Sequence, residues 1–241
     1  MFIHFKRYNI IPATAYHTSL TITRYPPWAI PFAILGMVVF NFPLWFRKKV
    51  SFYKLMGSGK NGTFSKKPDW QQWAVLQVGS VPDLLPENKQ TLLPALYGKF
   101  IAAYWRLFRC HTITYILQPI EGHGTWSGKA PFGQLPRKTD YEGKIAVITR
   151  AAIRRRNLKR FWSHVDPVAQ RMYGAEGFVL SYGIGEMPYI RQATFSIWTS
   201  KEAMRQFAYK MPEHADVVKK THAENWYSEE LFARFKVLLI V

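Results

Sequence analysis

Cysteine is almost missing from this chain of 241 residues. The single Cys110 excludes an intramolecular disulfide framework and any multi-cysteine zinc site, and it fits an environment that is reducing or indifferent to thiol oxidation. Acid is scarce: 15 Asp and Glu stand against 33 Lys and Arg, for a net charge of +18. None of the acids precedes Asp69, while ten basic residues lie from Lys6 to Lys67. The 15 Gly and 15 Pro are scattered without a period, which excludes collagen-like and low-complexity chains. The seven histidines show neither HExxH nor a two-His-one-carboxylate spacing, so a self-contained zinc or non-haem iron motif is absent from the local sequence.

What is present is apolar and aromatic. Hydrophobic residues make up 48% and aromatics 16%, too much for disorder and enough for one large or two small domains with a real core. The basic surface attracts polyanions, whether nucleic acid, anionic lipid headgroups or an anionic cofactor, and charge alone does not choose among them. The bland alternative is a surface charged only for solubility.

The longest uncharged run is Pro26–Phe46, followed by Arg47-Lys48-Lys49. Its length suits a bilayer span and its basic flank a cytoplasmic anchor. Pro26, Pro27, Pro31, Pro43 and Asn41 interrupt it, so a buried or amphipathic domain helix competes with the span. No small-residue cleavage site follows the run, and a removable signal peptide is not expected.

Along the chain, Thr18–Tyr25 alternates as a strand, residues 28–42 form an apolar helix, Phe52–Met56 and Trp73–Val78 read as strands, Asn88–Phe108 as one helix, and Thr112–Leu117 as a strand. A Gly- and Pro-rich loop spans Glu121–Gly143. The order then repeats: strand Lys144–Arg154, helix Leu158–Tyr173, strands Phe178–Tyr182 and Ala193–Trp198, helix Lys201–Asn225, strand Arg234–Val241. Two βαββαβ units in tandem predict an α+β fold of paired ferredoxin-like units whose sheets form an α/β barrel. The expected division is an extension 1–17, a first unit 18–120, a connecting loop 121–143 and a second unit 144–241.

Three constellations could carry chemistry. Met204, Phe207, Met211, His214 and Val218 form one apolar stripe at helical spacing, with Pro212 set to bend the helix. A neutral imidazole on a Met-rich apolar face suits a single axial haem ligand; a core histidine satisfied by a backbone carbonyl is the competing reading. Arg150 sits mid-strand on the side of Ala146, Ile148 and Ala152, a position that is costly unless it meets an anion: Glu186, a haem propionate or a bound oxygen species. Gly57-Ser58-Gly59-Lys60-Asn61-Gly62 lacks the phosphate-loop spacing, and the RNP1 pattern is absent from WAVLQV and ATFSIW, which leaves RNA binding a minor alternative.

Taken together, TITRY (21–25), FYKLMGSGKNGTF (52–64), GTWSG (124–128), AVITRAAIR (146–154), LSYGIGEMP (180–188), QATFSIW (192–198) and NWYSEELFARF (225–235) resemble the spheroidene monooxygenase family of carotenoid biosynthesis. The resemblance runs from about Thr18 to the C-terminus. It implies a relation to dimeric α/β barrel haem proteins and oxygen insertion, as hydroxyl or ketone, at the C2 end of an acyclic carotenoid. It also implies haem b with molecular oxygen as co-substrate. On this resemblance His214 ligates iron, flanked by Met211 and Phe207 at the cofactor, and Arg150 orients a propionate or polarises bound oxygen. Trp126, Tyr182, Trp198 and Phe32 are expected as walls of a long apolar channel. A cytoplasmic protein held peripherally at the inner face of an anionic membrane fits both the basic N-terminal third and a polyene substrate. The electron donor stays unassigned and a homo-oligomer is compatible. The alternatives are a haem dehydratase or peroxide-using enzyme of the same barrel, and a non-enzymatic basic binding module.

Overall fold

The computed structural model describes residues 17–60, 67–79, 88–163, 172–210, 220–221 and 223–241. Eight strands carry it: β1 (His17–Arg24), β2 (Val50–Gly59), β3 (Pro68–Gly79), β4 (His111–Gly124), β5 (Ile145–Ile153), β6 (Phe178–Met187), β7 (Arg191–Trp198) and β8 (Tyr227–Ile240). Their order around a closed barrel is β1-β3-β2-β6-β7-β5-β8-β4. Within it, β4-β1-β3-β2 and β8-β5-β7-β6 are two antiparallel sheets of identical connectivity, the tandem ferredoxin-like pair expected from the element order.

The two sheets join edge to edge, and the seams are unequal. On one side β4 and β8 pair from Tyr115↔Ile240 through Gly124↔Leu231. On the other, among the described residues, β2 meets β6 at Gly57↔Gly185 and Ser58↔Ile184. Period-two alternation then sorts the side chains. Leu20, Ile22, Leu76, Val78, Leu117, Ile148, Phe195 and Phe235 fill the interior, and the opposite faces lie under helices.

Among the described residues the outside is covered by α1 (Ile30–Val39), α2 (Asn41–Phe46), α3 (Lys89–Tyr97), α4 (Lys99–Leu107) and α5 (Lys201–Arg205), the last running on as a π-helical turn, Gln206–Lys210. Asn88 caps α3 by accepting from the Gln90 amide (2.8 Å), and Ser200 caps α5 through the Ala203 amide (3.1 Å). Residues 158–163 are also helical.

Several expectations change. The helix expected over Asn88–Phe108 is two, because Gly98 takes φ 89° and turns the chain between α3 and α4. The apolar 28–42 helix breaks at Phe40 into α1 and α2, with Asn41 Nδ2 donating to the Met37 carbonyl at 2.8 Å. The loop expected from Glu121 begins only after Gly124. Gly122 and Gly124 look like loop residues but lie in β4, and at Gly124 (φ 86°) an added Cβ would meet the Glu230 carbonyl at 2.2 Å. β8 starts at Tyr227 rather than Arg234. In the expected helix Lys201–Asn225, residues 211–219 and 222 lie outside the described residues, as do 164–171 of the helix expected over Leu158–Tyr173 and all of the 1–17 extension except His17.

Candidate functional site

Arg150 is 2% exposed and points into the barrel, on the interior row of β5 with Ala146 and Ile148. It meets the anion its position demanded, and meets it twice. Its guanidinium is paired with Glu229 on β8 and lies 3.5 Å from Glu186 on β6. Glu186 also takes Lys54 Nζ from β2 at 2.5 Å and the indole N–H of Trp126 at 2.8 Å. Glu229 accepts from the Thr125 hydroxyl (2.8 Å) and the Gly128 amide (2.7 Å), while Lys54 donates to Ser127 at 2.9 Å. The ring of Trp126 lies 5.7 Å from the guanidinium carbon and packs edge-on to Phe52. Two cations and two carboxylates thus balance in a nearly dry place, tied together by a turn, residues 125–128, that carries Trp126 into the interior.

Burial pushes the Glu229 carboxyl upward. The Gly128 amide, the Thr125 hydroxyl and Arg150 outweigh it and hold the group at about 2. It is ionised across the ordinary pH range and is not a proton donor. The cluster is a lock joining β2, β5, β6, β8 and the 125–128 turn. Five motifs separated in sequence, FYKLMGSG, GTWSG, AVITRAAIR, LSYGIGEMP and NWYSEELFARF, each contribute a member. Sequence reasoning offered Glu186 as one of three anions for Arg150 and missed Glu229 and Lys54. Glu229 was legible only with β8 begun at Tyr227, because it then falls on the interior row with Leu231, Ala233 and Phe235.

The helix-covered face of the second sheet is built differently. At one end Met204 and Phe207 pack on Ile145, Val147 and Trp198, with Phe178 beside them. At the other, Phe161 and Trp162 pack on Ile153 and Trp226. Between these ends the register aligns small side chains across β5, β7 and β6: Val147–Ser196–Ser181, then Thr149–Thr194–Gly183, then Ala151–Gln192–Gly185. Thr149 is exposed in the middle of a strand whose other residues are all buried. From Val147 to Ile153 this floor runs about 20 Å along the strand, and from β8 to β6 about 14 Å across. On this face Val147, Ala151, Ser181 and Ser196 are buried and Thr149 is exposed.

The sequence-derived site residues therefore divide among three places. Arg150, Trp126 and Tyr182 face the filled barrel interior, where the Tyr182 and Tyr115 hydroxyls meet at 3.1 Å. Trp198 and Phe207 face the other side of the sheet, with ring centroids 5.3 Å apart. Phe32 lies on α1, stacked on Phe108 at 4.3 Å. Trp126, Tyr182, Trp198 and Phe32 do not line one channel, because alternation along the strands sends them to opposite faces of the wall. His214 and Met211 lie outside the described residues. Among the described residues no group of three His, Cys, Asp or Glu side chains converges on a metal position. Burial pushes the Cys110 thiol up to about 12, which leaves it inert as a nucleophile.

No family model matches the chain. A spheroidene monooxygenase from Cereibacter sphaeroides is 32% identical over 91% of this chain and 66% of its own length. Another from Rhodobacter capsulatus is 31% identical over 91% of this chain and 89% of its own. Among solved structures, the aldoxime dehydratase OxdRE, in complex with butyraldoxime, superposes with a TM-score of 0.60 at 11% identity, covering 95% of this chain and 81% of that one. A second aldoxime dehydratase reaches 0.53 at 10% identity, covering 93% and 81%. At such identity the structural likeness speaks for the fold.

Proposed function

This chain belongs to the spheroidene monooxygenase family, and from that premise we propose that it is a haem-dependent oxidoreductase that adds oxygen at the C2 end of an acyclic carotenoid, as a hydroxyl or keto group. The observation that carries the reading is the pairwise identity of 31% with a named spheroidene monooxygenase over 91% of this chain and 89% of the relative, which spans both halves of the barrel.

Haem b is the cofactor this reading requires, and the floor of small side chains on the second sheet fits it. Thr149 and Thr194 offer hydroxyls and little bulk, Ser196 and Ser181 are small and buried, and Trp198 and Phe207 close one end with apolar rings. The resemblance gives the axial imidazole to His214, with Met211 on the same stripe. When bound, haem supplies the activation of dioxygen, with electrons from an external reductant. The chain's own part is to hold and shield. Trp198, Phe207, Phe161 and Trp162 keep water from the two ends of the floor, and the Arg150 lock fixes β5, β6 and β8 in register beneath it. Because the guanidinium of Arg150 points to the opposite face of the sheet, its contribution in this reading is positional; the direct contact with a propionate or with bound oxygen expected from the sequence is not part of it.

The test is spectroscopic first and chemical second. Purified protein with added hemin should develop a Soret band, strongly reduced in His214→Ala. With a carotenoid and isotopically heavy dioxygen, the label should appear at C2 of the product. Hemin uptake with an unchanged carotenoid and a dehydrated aldoxime would replace the oxygenase by a dehydratase. No uptake, together with steeply salt-dependent binding to RNA, would leave a basic binding module.

A further inference from the structure

The segment Pro27–Phe46 is apolar all round, with a mean hydropathy of 1.9, yet only 28% of it is buried. Its buried residues are Ala29, Ala33, Gly36, Phe40 and Leu44, a stripe at helical spacing that packs on α3 and α4 through Leu96, Tyr97, Ile101 and Trp105. The opposite side faces outward: Leu35, Val38, Phe42, Trp45 and Phe46 are 48–77% exposed. α4 adjoins it, with the Tyr104 hydroxyl donating to the Phe32 carbonyl at 2.7 Å and Phe108 stacked on Phe32, and it adds Phe100 and Leu107. Ten of the sixteen large apolar side chains exposed among the described residues fall on these two stretches, which makes the surface a patch rather than scatter.

Charge selects its occupant. Lys48, Lys49, Lys99, Arg106 and Arg109 are exposed beside the patch, and neither residues 1–68 nor 88–120 contain an acid. A second copy docked here would set cation against cation; an anionic lipid surface would not. A span does not fit. Pro27–Phe46 has the length and apolarity for one, but leaving the domain would expose the stripe that packs on Tyr97 and Trp105. We propose that α1, α2 and the outer face of α4 form an in-plane membrane-docking surface that sits on an anionic bilayer, apolar side chains in the acyl boundary and lysine and arginine among the headgroups. The inference stands on this surface by itself; the carotenoid reading gives it a use, as the place where a lipid-dissolved substrate is collected.

The test is flotation of the full chain with vesicles of phosphatidylcholine alone or mixed with phosphatidylglycerol. Wild type is expected on the mixed vesicles, weakened by salt. The double substitution Trp45→Ser/Phe46→Ser should lower partitioning about a hundredfold. Lys48→Gln/Lys49→Gln should lower it about tenfold on mixed vesicles only. Both variants should keep the wild-type melting curve and hemin uptake, so loss of docking and failure of the enzyme reading register separately. Four results would overturn the proposal: no flotation by wild type, flotation unchanged in the Trp45/Phe46 variant, a soluble wild-type dimer that this variant turns into monomers, or membranes that retain the chain through alkaline carbonate.

Discussion

The two halves of the barrel share strand order and connectivity and differ in what lies over the sheet. Over the first sheet, four helices bury thirteen residues into one cluster, from Tyr25 to Ile116, and the Tyr97 hydroxyl reaches through it to Thr21 at 2.8 Å. Over the second, the described residues form two small clusters at the ends, with hydroxyls and glycines between. Among the described residues, the same scaffold carries one continuous cluster over the first sheet and two separate ones over the second. The difference teaches that one connectivity accepts two kinds of cover, with the second sheet also tied from its inner face by the buried ion pairs of Arg150.

Four substitutions or conditions would break or sharpen that contrast. Arg150→Ala leaves Glu186 and Glu229 half-buried without their cation, and a loss of about 3–5 kcal/mol in urea unfolding is expected. A loss below about 1 kcal/mol would mean the second sheet owes its stiffness to something other than the lock. Leu96→Ala opens a cavity under the first sheet's helices and should cost about 3 kcal/mol while hemin titration is unchanged. Third, pH: the folded Glu229 carboxyl is depressed from 4.5 to about 2, so its stabilisation is fully present above the unfolded value and is lost as pH falls through that window. Melting temperatures of wild type should therefore fall between pH 4.5 and 2 more steeply than those of Glu229→Gln. The smallest effect on stability, within about 1 kcal/mol, is expected for Thr149→Leu, because this residue is exposed. The same change should nonetheless abolish the Soret band on hemin addition, and an unchanged band would move the cofactor off this floor.

The repeat of βαββαβ was legible because hydrophobic period and turn residues are local properties, and the family resemblance, carried on seven short motifs, is borne out by identity over nine-tenths of the chain. The need of Arg150 for an anion was legible for the same reason, since a lone cation on an apolar strand face must find one, with Glu186 among three candidates. Glu229 was not. Its strand was taken to begin seven residues too late, since Ser228, Glu229 and Glu230 carry no strand signal of their own and are held by pairing with β5. The channel of Trp126, Tyr182, Trp198 and Phe32 failed for a related reason, because aromatic character marks burial without saying which side of a barrel wall is filled.

The amino-acid order by itself determined the strands and helices, their tandem repetition, the excess of positive charge and the family, all of which depend on neighbours in the chain. Tertiary structure alone decided that Lys54, Trp126, Arg150, Glu186 and Glu229 meet inside one barrel and that the small residues of three strands align into a floor. Closure of the sheet sets register between segments up to 175 residues apart, from Lys54 to Glu229, and no local pattern encodes a distance of that kind.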